Sequence, residues 1–270
     1  MSSQAPSSNP YASPAAVPPA SAAPPAFKPI SKIEYLRMYQ YVFENPNWLM
    51  NILQGALCSV IPIVGPLVMI GYQFEVIEAL LAAEGRRYPD FTFNRFADYL
   101  LRGLWPFLVQ LVASLVIAPL IGLLVAVPVL ILVAIASAAG KESGPAVIAV
   151  GVPLLVLVLI PLSIAVSVVL VPLMLRAGLA QDFVEGFNFN WLTDFLKRTW
   201  KETFLALLFI AVTAMLLAPL GMLACYVGMF FVMPVIFLAQ AHMYYQLYLL
   251  YLSRDGIPVQ RKIAPYAPPR

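Results

Sequence analysis

Charge is scarce in this chain. Lys, Arg, Asp and Glu make up 11% of its 270 residues, where a soluble domain carries about 25%. Hydrophobic residues reach 61% and the mean hydropathy is +0.85. These values exclude a disordered chain, a disulfide scaffold and an ordinary soluble enzyme. Histidine occurs once, as His242, and cysteine twice, as Cys58 and Cys225 inside apolar stretches. No metal-ligand spacing results, so neither a metal nor a cofactor is expected. Basic side chains exceed acidic ones by only three and form no dense basic face, which argues against a nucleic-acid partner. Paired-histidine, nucleophile-elbow, P-loop and dinucleotide motifs are missing as well, so catalysis is not expected. What remains is a polytopic membrane protein whose first partner is the lipid bilayer.

The charge-free intervals segment the chain. Glu44 to Glu75 encloses 30 uncharged residues, Arg102 to Lys141 38, Glu142 to Arg176 33, and Glu202 to Arg254 51. A membrane-spanning helix needs about 20 residues. The longest interval therefore holds two, with a turn between Pro219 and Gly228 where Pro and Gly cluster. The 38- and 33-residue intervals would measure about 57 and 50 Å as unbroken helices. Both exceed a hydrocarbon core of about 30 Å. Each is expected to be one long span kinked at its prolines, Pro119 and Pro128 in the first and Pro153, Pro161 and Pro172 in the second. The two meet at the polar hairpin 139–145.

The first apolar segment, 48–83, is centred on Ile61-Pro62-Ile63-Val64-Gly65-Pro66, a strong turn signal. The part before the turn is too short for an ordinary crossing. If the segment is a helical hairpin, 15 of the 16 Lys and Arg residues fall on one side, which should be cytoplasmic. The expectation is an all-α bundle of about six hydrophobic helices in three hairpins, with both termini cytoplasmic. Five spans with the N-terminus outside is the alternative. Residues 1–29, rich in Pro, Ala and Ser, read as a disordered tail without the layout of a secretory signal. Residues 30–254 read as the transmembrane domain and 255–270 as a second disordered tail. Segment 31–43, opened by Ser31, reads as an interfacial amphipathic helix.

The domain also carries a weak parallel duplication, with halves at about 48–140 and 145–252. The sequence Phe91-Thr92-Phe93-Asn94-Arg95-Phe96-Ala97-Asp98-Tyr99-Leu100-Leu101-Arg102 recurs as Phe187-Asn188-Phe189-Asn190-Trp191-Leu192-Thr193-Asp194-Phe195-Leu196-Lys197-Arg198. Phe93, Asn94, Asp98 and Arg102 thus match Phe189, Asn190, Asp194 and Arg198. Asn is a good helix N-cap and Asp favours a helix N-terminus. Each copy therefore reads as an interfacial helix capped by Asn94 or Asn190.

Among polar residues in apolar surroundings, Glu75 and Glu78 lie three apart on one helix face with Gln73 beside them. Membrane carboxylates suggest a proton or cation site. His242 has Gln246 one turn further on and could relay protons or make a neutral interhelical hydrogen bond. Gln54, Gln110 and Gln240 read as interhelical hydrogen-bond partners.

Asn47-Trp48, Ile61-Pro62-Ile63-Val64-Gly65, Gly71-Tyr72, Tyr88-Pro89-Asp90-Phe91 and Gly103 together resemble a prokaryotic membrane family known as domain of unknown function 4013. The resemblance is best over residues 44–110. It implies a helical bundle in a prokaryotic inner membrane and supplies no catalytic residue. Two functions stay open. One is a small-solute or ion permease. The other is a non-transporting scaffold that organises the membrane as a homo-oligomer or with a membrane-protein partner.

Overall fold

The Ile61–Val64 corner turns the chain back on itself, with Ile63 in the left-handed region at φ 63°. It joins α2 (Trp48–Ser59) to α3 (Val64–Ala82) as a hairpin. The computed structural model describes residues 28–82, 88–223 and 227–260; the expected tails 1–29 and 255–270 lie mostly outside them. Before the hairpin stands α1 (Tyr35–Gln40), continued by a 3-10 turn. After it come α4 (Phe96–Ala138), α5 (Gly140–Ala180), the four-residue α6 (Phe183–Gly186), α7 (Phe189–Leu223) and α8 (Val227–Ser253). No strand occurs among the described residues. Among the described residues, five helices are long and apolar enough to cross a membrane, namely α3, α4, α5, α7 and α8. α2, with 12 residues, measures about 18 Å and is too short to cross a core of about 30 Å.

The hydrophobic helices form three hairpins, α2–α3, α4–α5 and α7–α8. Every residue of α3 from Leu67 to Leu80 is buried, because α2, α4, α5 and α8 surround it. Glycines permit the closest approach. A Cβ on Gly71 would collide with the Tyr99 carbonyl, and one on Gly103 with the Leu67 carbonyl. Small residues at a crossing let helix backbones touch, which is how membrane helices gain packing energy where no hydrophobic effect separates them from lipid.

The α4–α5 hairpin is built differently. Its turn is confined to Ala139 and Gly140, the latter at φ 76°, so the polar stretch from Lys141 already belongs to α5. α4 runs unbroken through Pro106, Pro119 and Pro128, and α5 through Pro145, Pro153, Pro161 and Pro172. Helices around bilayer depth tolerate proline because neighbouring groups re-satisfy the freed carbonyls and lipid offers no competing partner. Between Ser114 and Ser163 only Ala136 and Gly144 are buried. The two arms touch along a seam where Gly144 meets the Ala136 carbonyl and Gly151 meets Leu132.

Segment 31–43 has two faces, with Leu36 and Phe43 exposed and the opposite side packed on the bundle. The helix begins at Tyr35 without a side-chain cap, and Met38, Tyr41 and Val42 are buried. The segment packs along α8. The Ile30 amide donates to Ser253 Oγ (2.9 Å) and the Glu34 amide to Gln246 Oε1 (2.7 Å). Tyr39 and Thr213 share a hydrogen bond of 2.5 Å. Burial, with Tyr88 alongside, pushes the Tyr41 phenol far above its ordinary value. The Ile30–Ser253 bond brings residue 30 and the end of α8 to the same end of the bundle.

Candidate functional site: an uncharged cavity within the helices

A cavity of about 530 Å³ lies between α3, α4, α5, α7 and α8. Its polar lining comes from Gln73 on α3, Gln110 and Ser114 on α4, Ser167 on α5, and Gln240 and Tyr244 on α8. Ile70, Phe107, Leu170, Val171, Met174, Leu207 and Phe237 supply the apolar walls. No charged side chain lines it. Gln73 Nε2 donates to the Phe237 carbonyl (3.2 Å), and Ser167 Oγ to the Ser163 carbonyl (2.8 Å). Among the described residues, no hydrogen bond ties Gln110, Ser114, Gln240 or Tyr244. Gln110 and Ser114 are one turn apart on α4, as are Gln240 and Tyr244 on α8, so each pair shares a helix face. A volume of this size, mostly apolar and with a few convergent polar groups, is the usual make-up of a small-molecule site.

Of the candidate site residues Gln73, Glu75, Glu78 and His242, only Gln73 lines this cavity. Glu75 is 1% exposed, but its carboxylate is neutralised. Arg95 holds it through two hydrogen bonds of 2.5 and 2.7 Å, and Arg102 stands 3.8 Å away. The same Arg102 lies 3.1 Å from Glu78. Two carboxylates and two guanidiniums thus form a closed quartet between α3 and α4. The two carboxylates proposed as a proton or cation site are ion-paired with arginines, as buried charges usually are. His242 sits half a helical turn from Gln240 and Tyr244, against α1. Gln246 uses Oε1 to accept from Glu34, so its Nε2 donates to His242 Nδ1 (2.9 Å) and to the Glu34 carbonyl (3.2 Å). The His242 ring packs on Tyr41 at 4.6 Å. Gln73, Glu75, Glu78 and His242 therefore do not form one site. Gln110 and Gln240 line the cavity instead of bonding helix to helix. Their isolation in apolar runs was the visible signal; that they line one cavity depends on tertiary packing.

The repeated motifs lead into α4 through a 3-10 turn at Phe93–Arg95 and directly into α7, and their side-chain caps are not the asparagines expected. Thr92 Oγ1 accepts from the Asn94 amide (3.2 Å), and Asn188 Oδ1 from the Trp191 amide (3.2 Å). Asn94 and Asn190 are exposed and already within the first turns. Thr92, which caps the 3-10 turn Phe93–Arg95 ahead of α4, and Asn188, which caps α7, correspond at the same offset of 96, while α4 itself starts after Arg95 without a side-chain cap. The copies share one end of the molecule. Gln181, just after α5, donates to the Arg102 carbonyl (3.2 Å), and Arg176 lies over the Trp191 ring at 5.2 Å.

The residues that carried the family resemblance also meet in space. The Asp90 carboxylate accepts from the side-chain amides of Asn45 (2.9 Å), Asn47 (2.7 Å) and Asn51 (3.2 Å). Asn51 in turn accepts from the Phe91 amide (2.9 Å), and the Tyr72 hydroxyl donates to the Pro89 carbonyl (2.8 Å). The clasp fixes the start of α2 to the loop that follows α3, so both arms of the first hairpin are held at one end.

The chain belongs to the family described as "Protein of unknown function (DUF4013)", which it matches over residues 55–227. The match starts after the Asn47-Trp48 pair and runs well beyond residue 110, across the apolar helices. No curated protein and no solved structure matches the chain.

Proposed function

We propose that this protein is a multi-pass cell-membrane permease for a small uncharged molecule rich in hydrogen-bonding groups, with both termini cytoplasmic and no enzymatic activity. The observation that carries the reading is the uncharged cavity, in which Gln110, Ser114, Gln240 and Tyr244 are left without protein partners. Unpaired polar groups at membrane depth are costly unless a ligand or water engages them. Ion transport is disfavoured because Glu75 and Glu78 are held by Arg95 and Arg102. The excess of Lys and Arg at one end supports the cytoplasmic orientation. A scaffold that associates with itself or another membrane protein is the second reading. It is favoured by the bare apolar flanks of α4–α5 between Ser114 and Ser163.

The test is flux in proteoliposomes, with glycerol, urea and acetamide as neutral probes and a proton-sensitive dye inside. A neutral probe should pass, and Gln240→Leu should slow it about tenfold, the worth of one hydrogen bond. A proton or cation flux abolished by Glu75→Gln would overturn the uncharged reading. Passage of none of the probes would support the scaffold.

A further inference from the structure

We propose that the cavity takes a single-tailed amphiphile with an uncharged, multiply hydrogen-bonding head, and that this molecule enters sideways from the bilayer. The inference rests on reading the cavity as a ligand site. It adds the chemical class of the ligand and the route of entry.

The head follows from the lining. Gln110 and Ser114 on α4 and Gln240 and Tyr244 on α8 border the same space. Each pair is spaced by one helical turn and so projects along one face. Amides and hydroxyls both donate and accept. They match a head that does the same, such as a group of hydroxyls or an amide bearing a hydroxyl. A charged head would find no counter-ion, since no ionised side chain lines the cavity and burying an unpaired charge is prohibitive.

The tail and the route follow from the mouth. Gln110 and Leu111 are both exposed at the cavity's edge. The side chains that continue from there along α4, Val112 and Leu115, are apolar and exposed at 37% and 66%. The walls leading inward are Leu170, Val171 and Leu207. The ionic quartet lies between α3 and α4, away from this edge. A ligand at the mouth therefore meets hydrocarbon and no ring of charged or hydrated groups. A tail gives it both residence in that phase and apolar wall to pack against.

The experiment uses the full chain in lipid nanodiscs with Leu111→Trp as a reporter at the mouth. The probe is a monoacylglycerol with a dibrominated tail, which quenches nearby tryptophan. The same brominated tail is also presented as a fatty-acid anion and as a phosphatidylcholine. Saturable quenching by the monoacylglycerol is expected, about tenfold tighter than by either other carrier. Gln240→Leu should weaken it about tenfold without moving the thermal transition. If that variant does not fold, Gln110→Leu at the exposed edge serves the same purpose. Equal quenching by all three carriers means bulk lipid contact and overturns the proposal. If acetamide or glycerol displaces the probe as effectively as unbrominated monoacylglycerol does, the amphiphile is overturned while the uncharged cavity reading stands. Tighter binding of the fatty-acid anion overturns both.

Discussion

Arg102 and Arg198 occupy the same place in the two copies of the repeated motif, yet their side chains serve different ends. Arg102 turns inward to Glu78 and Glu75, with a side chain only 14% exposed. Arg198 stays at the rim. It pairs with Asp194 at 2.9 Å and donates to the Arg254 carbonyl, while Arg254 donates back to the Arg198 carbonyl and pairs with Glu202 at 2.5 Å. Seven positions earlier in each motif, Arg95 of the first copy is replaced by Trp191 in the second. Arg95 reaches Glu75 and also lies over Tyr99 at 5.4 Å. Trp191 instead receives Arg176 on its ring and donates to the Ile257 carbonyl (2.8 Å). The duplication thus preserves how a long helix begins, with a capped first turn and buried aromatics at Tyr99 and Phe195. Its ion pairs have diverged. The first copy uses them to join α3 to α4 in the interior, the second to tie α7 to the end of α8.

The sharpest way to break the comparison is to remove the matched arginines. Arg102→Ala leaves Glu78 and part of Glu75 uncompensated in the interior, a loss of about 3–5 kcal/mol for a broken buried pair. Arg198→Ala frees groups that water can reach and should cost much less. Thermal unfolding in detergent, ranked for the two variants, checks this. Near-equal losses would show that the quartet is solvated.

The next position along, Gly103 in the first copy and Thr199 in the second, extends the contrast. A Cβ at Gly103 meets backbone, the Leu67 carbonyl and the Gly71 amide, which cannot step aside as a flexible side chain would. Gly103→Ala should therefore cost about 1–3 kcal/mol or more as overpacking. Thr199 is fully buried with its hydroxyl satisfied by the Phe195 carbonyl of its own helix at 2.8 Å. Thr199→Ser keeps that bond and loses one methyl, about 1 kcal/mol. The same unfolding series reads both, and tolerance of alanine at 103 would mean that α3 and α4 can separate without loss.

At the helix starts the two copies should behave alike. Thr92→Ala and Asn188→Ala each remove a side-chain cap, worth about 0.5–2 kcal/mol. Asn94→Ala and Asn190→Ala should be close to neutral, because neither side chain caps. A larger effect at Asn94 than at Thr92 would reverse the assignment made from the Thr92–Asn94 hydrogen bond.

Much of the fold was legible because membrane helices announce themselves by missing charge. The intervals bounded by Arg102, Lys141 and Arg176 outline α4 and α5, and the Pro62–Pro66 cluster marks the α2–α3 corner. The prolines at 119, 128, 153, 161 and 172 do not break these helices, so each interval is one long helix as expected. The caps misled by two residues, because Thr, Asn and Asp are all competent caps and only backbone geometry chooses among them. Glu75 was rightly noticed as deep. Its partner Arg95 lies 20 positions away on another helix, beyond any periodic signal. The cavity was least legible of all. Gln110 and Gln240 are 130 residues apart in sequence, and only the packing of both α4 and α8 on α3 brings them to one space.

The last contrast between the copies, small in energy, is at the matched aspartates. Asp98 is in the first turn of α4 with its side chain 67% exposed, and its nearest cation, Arg95 at 3.5 Å, is already committed to Glu75. Asp98→Ala should cost about 0.2–0.5 kcal/mol, as exposed pairs one turn apart do, and that little should fade in high salt. Asp194 accepts from both Arg198 and the Tyr251 hydroxyl at 2.9 Å. Tyr251 in turn accepts from the Ile257 amide at 2.9 Å, so the carboxylate anchors the chain where it leaves α8. Asp194→Ala should therefore exceed Asp98→Ala and should also expose 251–257 to hydrogen exchange. Asp194→Asn, which still accepts from Tyr251, should restore most of that protection even though the ion pair is gone. Equal protection in Asp98→Ala and Asp194→Ala would mean that the two copies are used alike after all.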